Sequence, residues 1–263
     1  MMKVAPLRGL NTGWMESGSG DSILFLIHGF PDDAMAWKEQ ISFFENKMRV
    51  VAPYLRGVAT SEASNEMARY NPDSVALDHL DILRQVDPKG LGRIWIAGHD
   101  IGAAHAWKLA QLLGSRLAGL VIINGASNDQ MLERLMRHPR HWLKSWYMGF
   151  FMMPFVPQWT WRKLGAKILK RQTALHSDNM IQHYRTLALD SLKQGFHKRQ
   201  KLEKPVLLIH SLSDPYLDPP SEGDVQKLTD EYTIRVIKGG HWVHQEQPKK
   251  INALIDQFIG EHA

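Results

Sequence analysis

The carboxylate of Asp100 lies midway between two glycines in the segment Gly98-His99-Asp100-Ile101-Gly102. This segment follows the apolar run Arg93–Ala97, and a strand that turns sharply into a helix between glycines presents its middle side chain above a sheet. Most such turns have serine in the middle, whereas this one has Asp100. Asp100 therefore has two interpretations: a carboxylate nucleophile, or the N-cap of the helix that follows.

Two further segments carry the partners that a carboxylate nucleophile needs. HSLSD (210–214) places Asp214 after a predicted strand, and KGGHW (238–242) places His241 in a glycine-rich loop after the last one. The chain order nucleophile, acid, histidine is that of a hydrolytic triad. We therefore predict a triad of Asp100, Asp214 and His241, with Asp218 as the alternative acid.

A carboxylate nucleophile limits the kinds of substrate that the protein can attack. Attack on a carbonyl carbon would give a high-energy mixed anhydride, whereas attack on saturated carbon with a leaving group gives an ordinary ester. Water activated by His241 can cleave that ester, and the backbone amides of Ile101 and of Phe30, in HGFP (28–31), can form the oxyanion hole. The electrophiles that fit are epoxides, whose oxygen stays attached, and haloalkanes, which lose halide.

Short apolar segments alternate with longer amphipathic ones, which predicts a mostly parallel sheet flanked by helices on both faces. The segment GSGDS (18–22) predicts the turn of an amino-terminal hairpin that leads into the first central strand. The predicted strands are Ser22–Ile27, Met48–Ala52, Arg93–Ala97, Leu117–Ile123, Pro205–Ile209 and Thr233–Ile237. The predicted helices are Ala36–Asn46, Asp73–Val86, Ile101–Leu113, Ser221–Leu228 and Gln247–Ile259.

The alternation breaks between residues 126 and 198, where helical segments are rich in Trp, Met, His, Lys and Arg. We expect 1–125 and 199–263 to form the core domain, and 126–198 an inserted helical cap (lid) domain over the carboxyl edge of the sheet, where such folds bind ligands. Its segment WYMGFFMMPFVPQWTW (146–161) either lines an apolar substrate tunnel, which we favour, or is an exposed patch for a second subunit or a membrane surface.

Composition excludes several classes of protein. The 263 residues contain no cysteine, which excludes disulfides and cysteine nucleophiles and fits a reducing, cytoplasmic location. No segment has the uninterrupted apolar length of a membrane span, and the amino terminus lacks the apolar stretch of a signal peptide. The net charge of +5 accompanies no nucleic-acid-binding motif, and the 13 histidines form no metal-binding motif. We expect neither a nucleic acid nor a metal as partner.

Taken together, these motifs resemble the epoxide hydrolase branch of the α/β-hydrolase superfamily over nearly the whole chain. The similar segments are HGFPDDAMAWKEQI, VVAPYLRGVATSE, GHDIGA and GGHWVHQEQP. The resemblance implies an α/β-hydrolase fold, no cofactor, and two cap tyrosines that hydrogen-bond the epoxide oxygen. By position these are Tyr147, in SWYMGFFMMP, and Tyr184, in HYR. An epoxide oxygen leaves as an alkoxide, and phenols that remain protonated at neutral pH are suitable donors to it.

The chain departs from this family at positions that concern the range of substrates. Many epoxide hydrolases have tryptophan after the nucleophile, where this chain has Ile101, and the common APDLRG reads APYLRG, with Tyr54. We expect a small apolar epoxide as the substrate. The side chains predicted to bind it are Phe30, Ile101, Trp146 and Trp242.

Two alternatives stay open. A haloalkane or haloacid dehalogenase would use the same nucleophile; the positions that bind halide in that class are here Ile101 and Phe30, but indoles of the cap could replace them. A non-catalytic ligand-binding protein could keep the fold without turnover, although the complete triad favours an enzyme. A homodimer is compatible with each of these functions. The tryptophans of the cap whose indoles could bind halide in a dehalogenase are Trp142, Trp146, Trp159 and Trp161.

Overall fold

A sheet of eight strands organises the computed structural model, which describes residues 1–127, 130, 146–169, 178–194 and 201–263. The strands are β1 (Met2–Leu7), β2 (Leu10–Ser17), β3 (Ser22–Ile27), β4 (Arg49–Pro53), β5 (Arg93–Asp100), β6 (Leu117–Gly125), β7 (Val206–Ser211) and β8 (Tyr232–Ile237). Their order across the sheet is β1-β2-β4-β3-β5-β6-β7-β8. The six strands from β3 to β8 run parallel, and only β1 and β2 pair antiparallel with their neighbours.

The helices lie against this sheet or above its carboxyl edge. Helix α2 shows how the sequence sets the start of a helix. The Asn71 side chain caps it by accepting a hydrogen bond of 2.7 Å from the Ser74 amide, and Pro72 is suited to the first helical position because the amide there has no partner within the helix. The helices are α1 (Lys38–Phe44), α2 (Pro72–Val86), α3 (Ile101–Leu113), α4 (Trp146–Met152), α5 (Val156–Leu169), α6 (Ile181–Gln194), α7 (Glu222–Gln226), α8 (Val243–Glu246) and α9 (Pro248–His262).

The central strands are mostly apolar because helices cover both of their faces. Every residue of β6 and of β7 is buried, whereas β8 is the edge strand and exposes part of its length. The six strands predicted from the sequence are confirmed as β3 to β8; the bounds of β3 are those predicted, and those of the other strands differ by at most three residues. The predicted α/β-hydrolase fold, with its mostly parallel sheet flanked by helices, is therefore confirmed.

The predicted hairpin turn at residues 18–22 is wrong. The amino-terminal hairpin turns instead at Arg8 and Gly9, whose φ angles are 52° and 80°. The second hairpin strand, β2, pairs with β4 and not with β3, which follows it in the chain. Local turn chemistry could not reveal this, because GSGDS connects two strands that are not neighbours in the sheet.

Helices α4 and α6 contact each other. Helix α6 also packs on α2 and on Met67–Tyr70, the short 3-10 helix that precedes α2. These contacts hold α6 near the carboxyl ends of the parallel strands. Within the described ranges, no helix has both the length and the apolar character needed to cross a membrane.

Candidate active site

Asp100 lies at the sharp turn between β5 and α3, with φ 53° and ψ −125°. The turn needs glycine at its neighbours because backbone passes too close for a side chain: a Cβ on Gly102 would lie 2.4 Å from the carbonyl oxygens of Ile27 and His28. A Cβ on Gly29 would likewise lie 2.4 Å from the Cβ of Asp100. The fold therefore accepts this strained backbone, which turns the carboxylate away from the sheet.

The Asp100 side chain makes no capping hydrogen bond to α3, the other role considered for it. Its Oδ1 accepts hydrogen bonds from the Phe30 amide at 3.0 Å and from the Tyr184 hydroxyl at 2.8 Å. Burial on its own raises the pKa of this carboxyl, but the hydrogen bond and charge of His241 and the Ile101 amide outweigh it, so the pKa lies below its usual value. Asp100 is thus an ionised carboxylate at neutral pH.

His241 lies between the two acidic side chains. Its Nδ1 is 2.8 Å from Oδ2 of Asp214, and its Nε2 is 3.3 Å from Oδ2 of Asp100. Burial alone lowers the pKa of an imidazole, but hydrogen bonds to both carboxylates and their charges raise the pKa of His241 to about 9. The three side chains predicted as a triad are thus in contact, with His241 protonated at neutral pH.

The acid position is occupied by Asp214, and not by Asp218, the alternative considered for it. Oδ1 of Asp214 accepts the backbone amides of Tyr216 at 2.8 Å and Leu217 at 3.1 Å, which leaves Oδ2 for His241. Burial would raise the pKa of Asp214, but its bond to His241 and these amides hold the pKa below its usual value. The acid is therefore charged and fixed in orientation.

The two tyrosines singled out by the sequence resemblance lie beside Asp100. The Tyr184 ring centroid is 5.9 Å from that of Tyr147, with the rings nearly perpendicular at 89°. Burial and then the charge of Asp100 raise the pKa of both phenols well above their usual value. Both hydroxyls are consequently protonated at any physiological pH and can act as donors.

These side chains border a cavity of about 150 Å³ whose wall is mainly aromatic. Of the side chains predicted to bind substrate, Phe30 and Trp242 line this cavity, whereas the side chain of Ile101 is buried in the core and only its amide faces the carboxylate. The side chain of Trp146 and all of Trp142 lie outside the described residues. The lining residues are Phe30, Asp100, Tyr147, Phe150, Phe151, Thr160, Trp161, Tyr184, Tyr216, His241 and Trp242.

Sequence reasoning missed Asn124, which holds the histidine loop in place. Its Nδ2 donates to the carbonyl oxygens of His241 at 2.8 Å and Gly240 at 3.1 Å, and to the Ser211 hydroxyl at 2.9 Å. Its Oδ1 accepts the Ser211 amide at 2.8 Å. Asn124 is fully buried and has φ 41°. The sequence feature that could have identified Asn124 is its place as a polar residue at the end of the otherwise apolar strand β6.

Tyr216 was also missed. Its ring centroid lies 4.9 Å from that of His241 and 5.7 Å from that of Tyr147, so it forms the wall of the cavity over the imidazole. Burial raises the pKa of its phenol, which stays neutral. Its position two residues after the acid, on a loop that must fold over the site, could have identified it.

Two buried histidines near Asp100 and His241 hydrogen-bond backbone groups. His99 Nε2 donates to the carbonyl oxygen of His241 at 2.9 Å, and burial lowers the pKa of His99 to about 4. His28 Nε2 accepts the Leu55 amide at 3.0 Å. Among the described residues, no cluster of three or more His, Asp or Glu side chains could hold a metal ion.

Comparison with known proteins relates this geometry to a family. A family model described as "Alpha/beta hydrolase family" matches residues 24–254. Human epoxide hydrolase 4 is 27% identical over 96% of this chain and 76% of its own length. The structure of a novel epoxide hydrolase from metagenomes of hot environments has a TM-score of 0.82 and 26% identity, and the match covers 98% of both chains. A Bacillus megaterium epoxide hydrolase in complex with an inhibitor has a TM-score of 0.83 at 22% identity, covering 98% of this chain and 100% of its own, which is a likeness of fold.

Proposed function

Because the chain belongs to the alpha/beta hydrolase family, we propose that it is a hydrolase that adds water to an epoxide and releases a vicinal diol, through a covalent ester on Asp100. One observation carries the proposal: a charged carboxylate contacts both an imidazole, at 3.3 Å, and a phenol, at 2.8 Å, at the wall of an aromatic cavity. A serine hydrolase needs no phenol opposite its nucleophile, whereas epoxide opening does. The similarity to proteins named epoxide hydrolases supports the same reaction.

In the first step, Asp100 attacks a ring carbon of the epoxide. Oδ1 accepts the Phe30 amide in the oxyanion position, which leaves Oδ2 to form the new C–O bond. The ring C–O bond breaks, and its electron pair goes to the epoxide oxygen, which takes a proton from Tyr184 or Tyr147. The aromatic wall excludes water, so the carboxylate and not solvent is the nucleophile.

Forming the ester changes the protonation of His241. The carboxylate of Asp100 loses its charge and its hydrogen bond to the imidazole, which are two causes of the high pKa of His241. The imidazolium then becomes acidic enough to return a proton to the phenolate, directly or through water. Neutral His241 results, and Asp214 still orients it through the 2.8 Å bond to Nδ1.

In the second step, neutral His241 takes a proton from water, and the hydroxide attacks the carboxyl carbon of the ester. The amides of Phe30 and Ile101 stabilise the oxyanion that forms. Collapse breaks the bond between the carboxyl carbon and Oδ2, which leaves as one oxygen of the diol, and the new carboxyl group, which keeps the oxygen of water, gives that departing oxygen its proton. The diol leaves, and the charged Asp100 and His241 of the starting state are restored.

We also propose the division of the chain into a core of residues 1–125 and 199–263 and a cap of 126–198. Six of the cavity-lining side chains belong to the described part of that cap, and the remaining five belong to the core. The substrate would thus bind where the two meet. The cap contributes Tyr147, Phe150, Phe151, Thr160, Trp161 and Tyr184.

The test is intact-protein mass of the His241→Gln variant after mixing with a small panel of epoxides and, separately, with bromoalkanes. This variant can form the ester but activates water poorly. We expect an added mass equal to the whole epoxide, and none when Asp100→Ala is combined with it. An alkyl adduct that has lost bromine, with none from epoxides, would make the protein a dehalogenase; Trp161 and Trp242 line the cavity and carry indole donors for halide. No adduct from either panel would favour the ligand-binding alternative.

A further inference from the structure

Large apolar side chains are exposed on the outer side of α5 and on the turn before it. Phe155 is 84% exposed and Trp159 is 63% exposed. Six of the sixteen exposed large apolar residues in the described ranges fall within this short segment, and scattered single ones would need no explanation. We call them the cap patch: Met152, Met153, Phe155, Val156, Trp159 and Leu164.

The cap patch lies on the reverse side of the cavity wall. Val156, Trp159 and the exposed Lys163 recur at three- and four-residue spacing, which puts them on one face of α5. Trp161 is buried on another face, where its ring lies 4.6 Å from that of Phe30. One helix therefore borders the cavity with one side and exposes aromatic surface with the other. Packing of the cavity accounts for the inner residues but not for the outer ones.

Charge distinguishes this region from the rest of the protein. Between Arg134 and Ser177 the sequence has nine Lys and Arg residues and no Asp or Glu, whereas the remaining residues have 23 basic and 27 acidic side chains. In the described part, Arg162, Lys163 and Lys167 are exposed beside the cap patch. Nζ of Lys163 lies 5.7 Å from the centre of the Trp159 ring. The cap is thus cationic on a net acidic core.

From this arrangement we propose that the cap patch docks on the surface of an anionic phospholipid bilayer. Exposed Trp and Phe side chains can enter the boundary between headgroups and acyl chains, while neighbouring lysines reach the phosphates. A second copy of the chain is a poorer occupant, because pairing two cap patches would bring two cationic regions together. Docking would bring the aromatic cavity wall close to apolar compounds dissolved in the bilayer.

The experiment is flotation of the full chain with vesicles of phosphatidylcholine alone and of equal parts phosphatidylcholine and phosphatidylserine. The test variants are Phe155→Ser/Trp159→Ser and Lys163→Gln/Lys167→Gln. Matched controls remove similar groups from the core surface: Leu91→Ser/Val236→Ser, both exposed, and Lys38→Gln/Lys201→Gln. All of these positions are exposed, and circular dichroism checks that each variant folds.

We expect the wild type and both controls to float with the anionic vesicles, and added salt to weaken this binding. Each test variant should lower the bound fraction on the order of tenfold. The proposal is overturned if the wild type binds neither vesicle, if it binds both equally in high salt, or if the controls lose as much as the test variants. A wild-type dimer that the Phe155→Ser/Trp159→Ser variant makes monomeric, with no vesicle binding, would assign the patch to self-association instead. None of these outcomes depends on the reaction proposed above.

Discussion

The Tyr184 hydroxyl donates a hydrogen bond of 2.8 Å to Oδ1 of Asp100, so the proposed proton donor and the proposed nucleophile are hydrogen-bonded to each other. An epoxide that accepts a hydrogen bond from Tyr184 must take that donor from the carboxylate. In the proposed reaction, this exchange makes Asp100 a stronger nucleophile at the moment the epoxide oxygen is polarised. Activation of the two reactants is therefore coupled through one proton.

Replacing either tyrosine should slow the formation of the ester. In Tyr184→Phe and in Tyr147→Phe, one of the two proposed donors to the epoxide oxygen is lost, and we expect kcat/KM to fall by roughly 10²-fold. The double variant should fall further, because no donor remains. Steady-state hydrolysis of a chromogenic epoxide measures this, with Tyr232→Phe, far from the cavity, as the control. Full activity in the double variant would contradict the role of the phenols.

The raised pKa of His241 predicts a loss of stability at alkaline pH. The pKa is about 9 in the folded protein and near 6.5 in an unfolded chain, so the folded state binds the extra proton between these values. The stabilisation is complete below pH 6.5 and is lost as the pH rises through 9; it is worth roughly 3 kcal/mol. Urea unfolding of wild type and His241→Gln at pH 7 and 9.5 tests this. Equal pH dependence in the two proteins would be the contrary result.

Buried neutral histidines predict the opposite behaviour in acid. Burial lowers the pKa of His79 to about 3 and that of His183 to about 4, below the ordinary 6.5. At pH values between the folded pKa and 6.5, each histidine is protonated in the unfolded chain but neutral in the folded protein. The free energy of unfolding therefore falls as the pH drops below 6.5. Each histidine contributes about 1.4 kcal/mol per pH unit. His79→Gln should therefore flatten the dependence of unfolding free energy on pH between 6 and 4.5, and an unchanged slope would refute this account.

Asn124 should affect catalysis as well as stability. Asn124→Ala removes the donors that hold the carbonyl oxygens of Gly240 and His241, so we expect a loss of about 2–4 kcal/mol in unfolding free energy. The misplaced imidazole should also slow ester hydrolysis, visible as accumulation of the covalent adduct by mass spectrometry. Asn252→Ala is the control, because Asn252 is also buried and is hydrogen-bonded to Gln40 and not to Gly240 or His241. Adduct accumulation in both variants would indicate a general loss of packing.

The sequence predicted best what depends on short-range pattern. Three apolar strands, Ser22–Ile27, Arg93–Ala97 and Pro205–Ile209, are directly followed by histidine or glycine in the motifs HGFP, GHDIG and HSLSD, so strand ends and candidate site residues were found together. The order of Asp100, Asp214 and His241 sufficed to predict their contact, since parallel strands bring their carboxyl ends to one edge.

What the sequence could not predict depends on which elements are neighbours in space. GSGDS has turn residues, but whether its flanking strands pair is decided by β4, which lies between them in the sheet. Asn124 contacts a loop that follows it by more than a hundred residues, so no local pattern identifies its partners. Ile101 was assigned to the substrate because of its position in the motif, but its side chain is buried in the core and only its amide faces Asp100.

The edge position of β8 has a consequence for how the protein is made. His241 follows this strand, and it contacts His99, which is 142 residues earlier in the chain. At ordinary rates of translation, of about 5–20 residues per second, several seconds separate the synthesis of the proposed nucleophile from that of the proposed base. In the proposed mechanism, a nascent chain can thus carry the Asp100 carboxylate without the histidine that hydrolyses its ester. An ester formed on Asp100 at that stage would persist until β8 joins the sheet and brings His241 beside it.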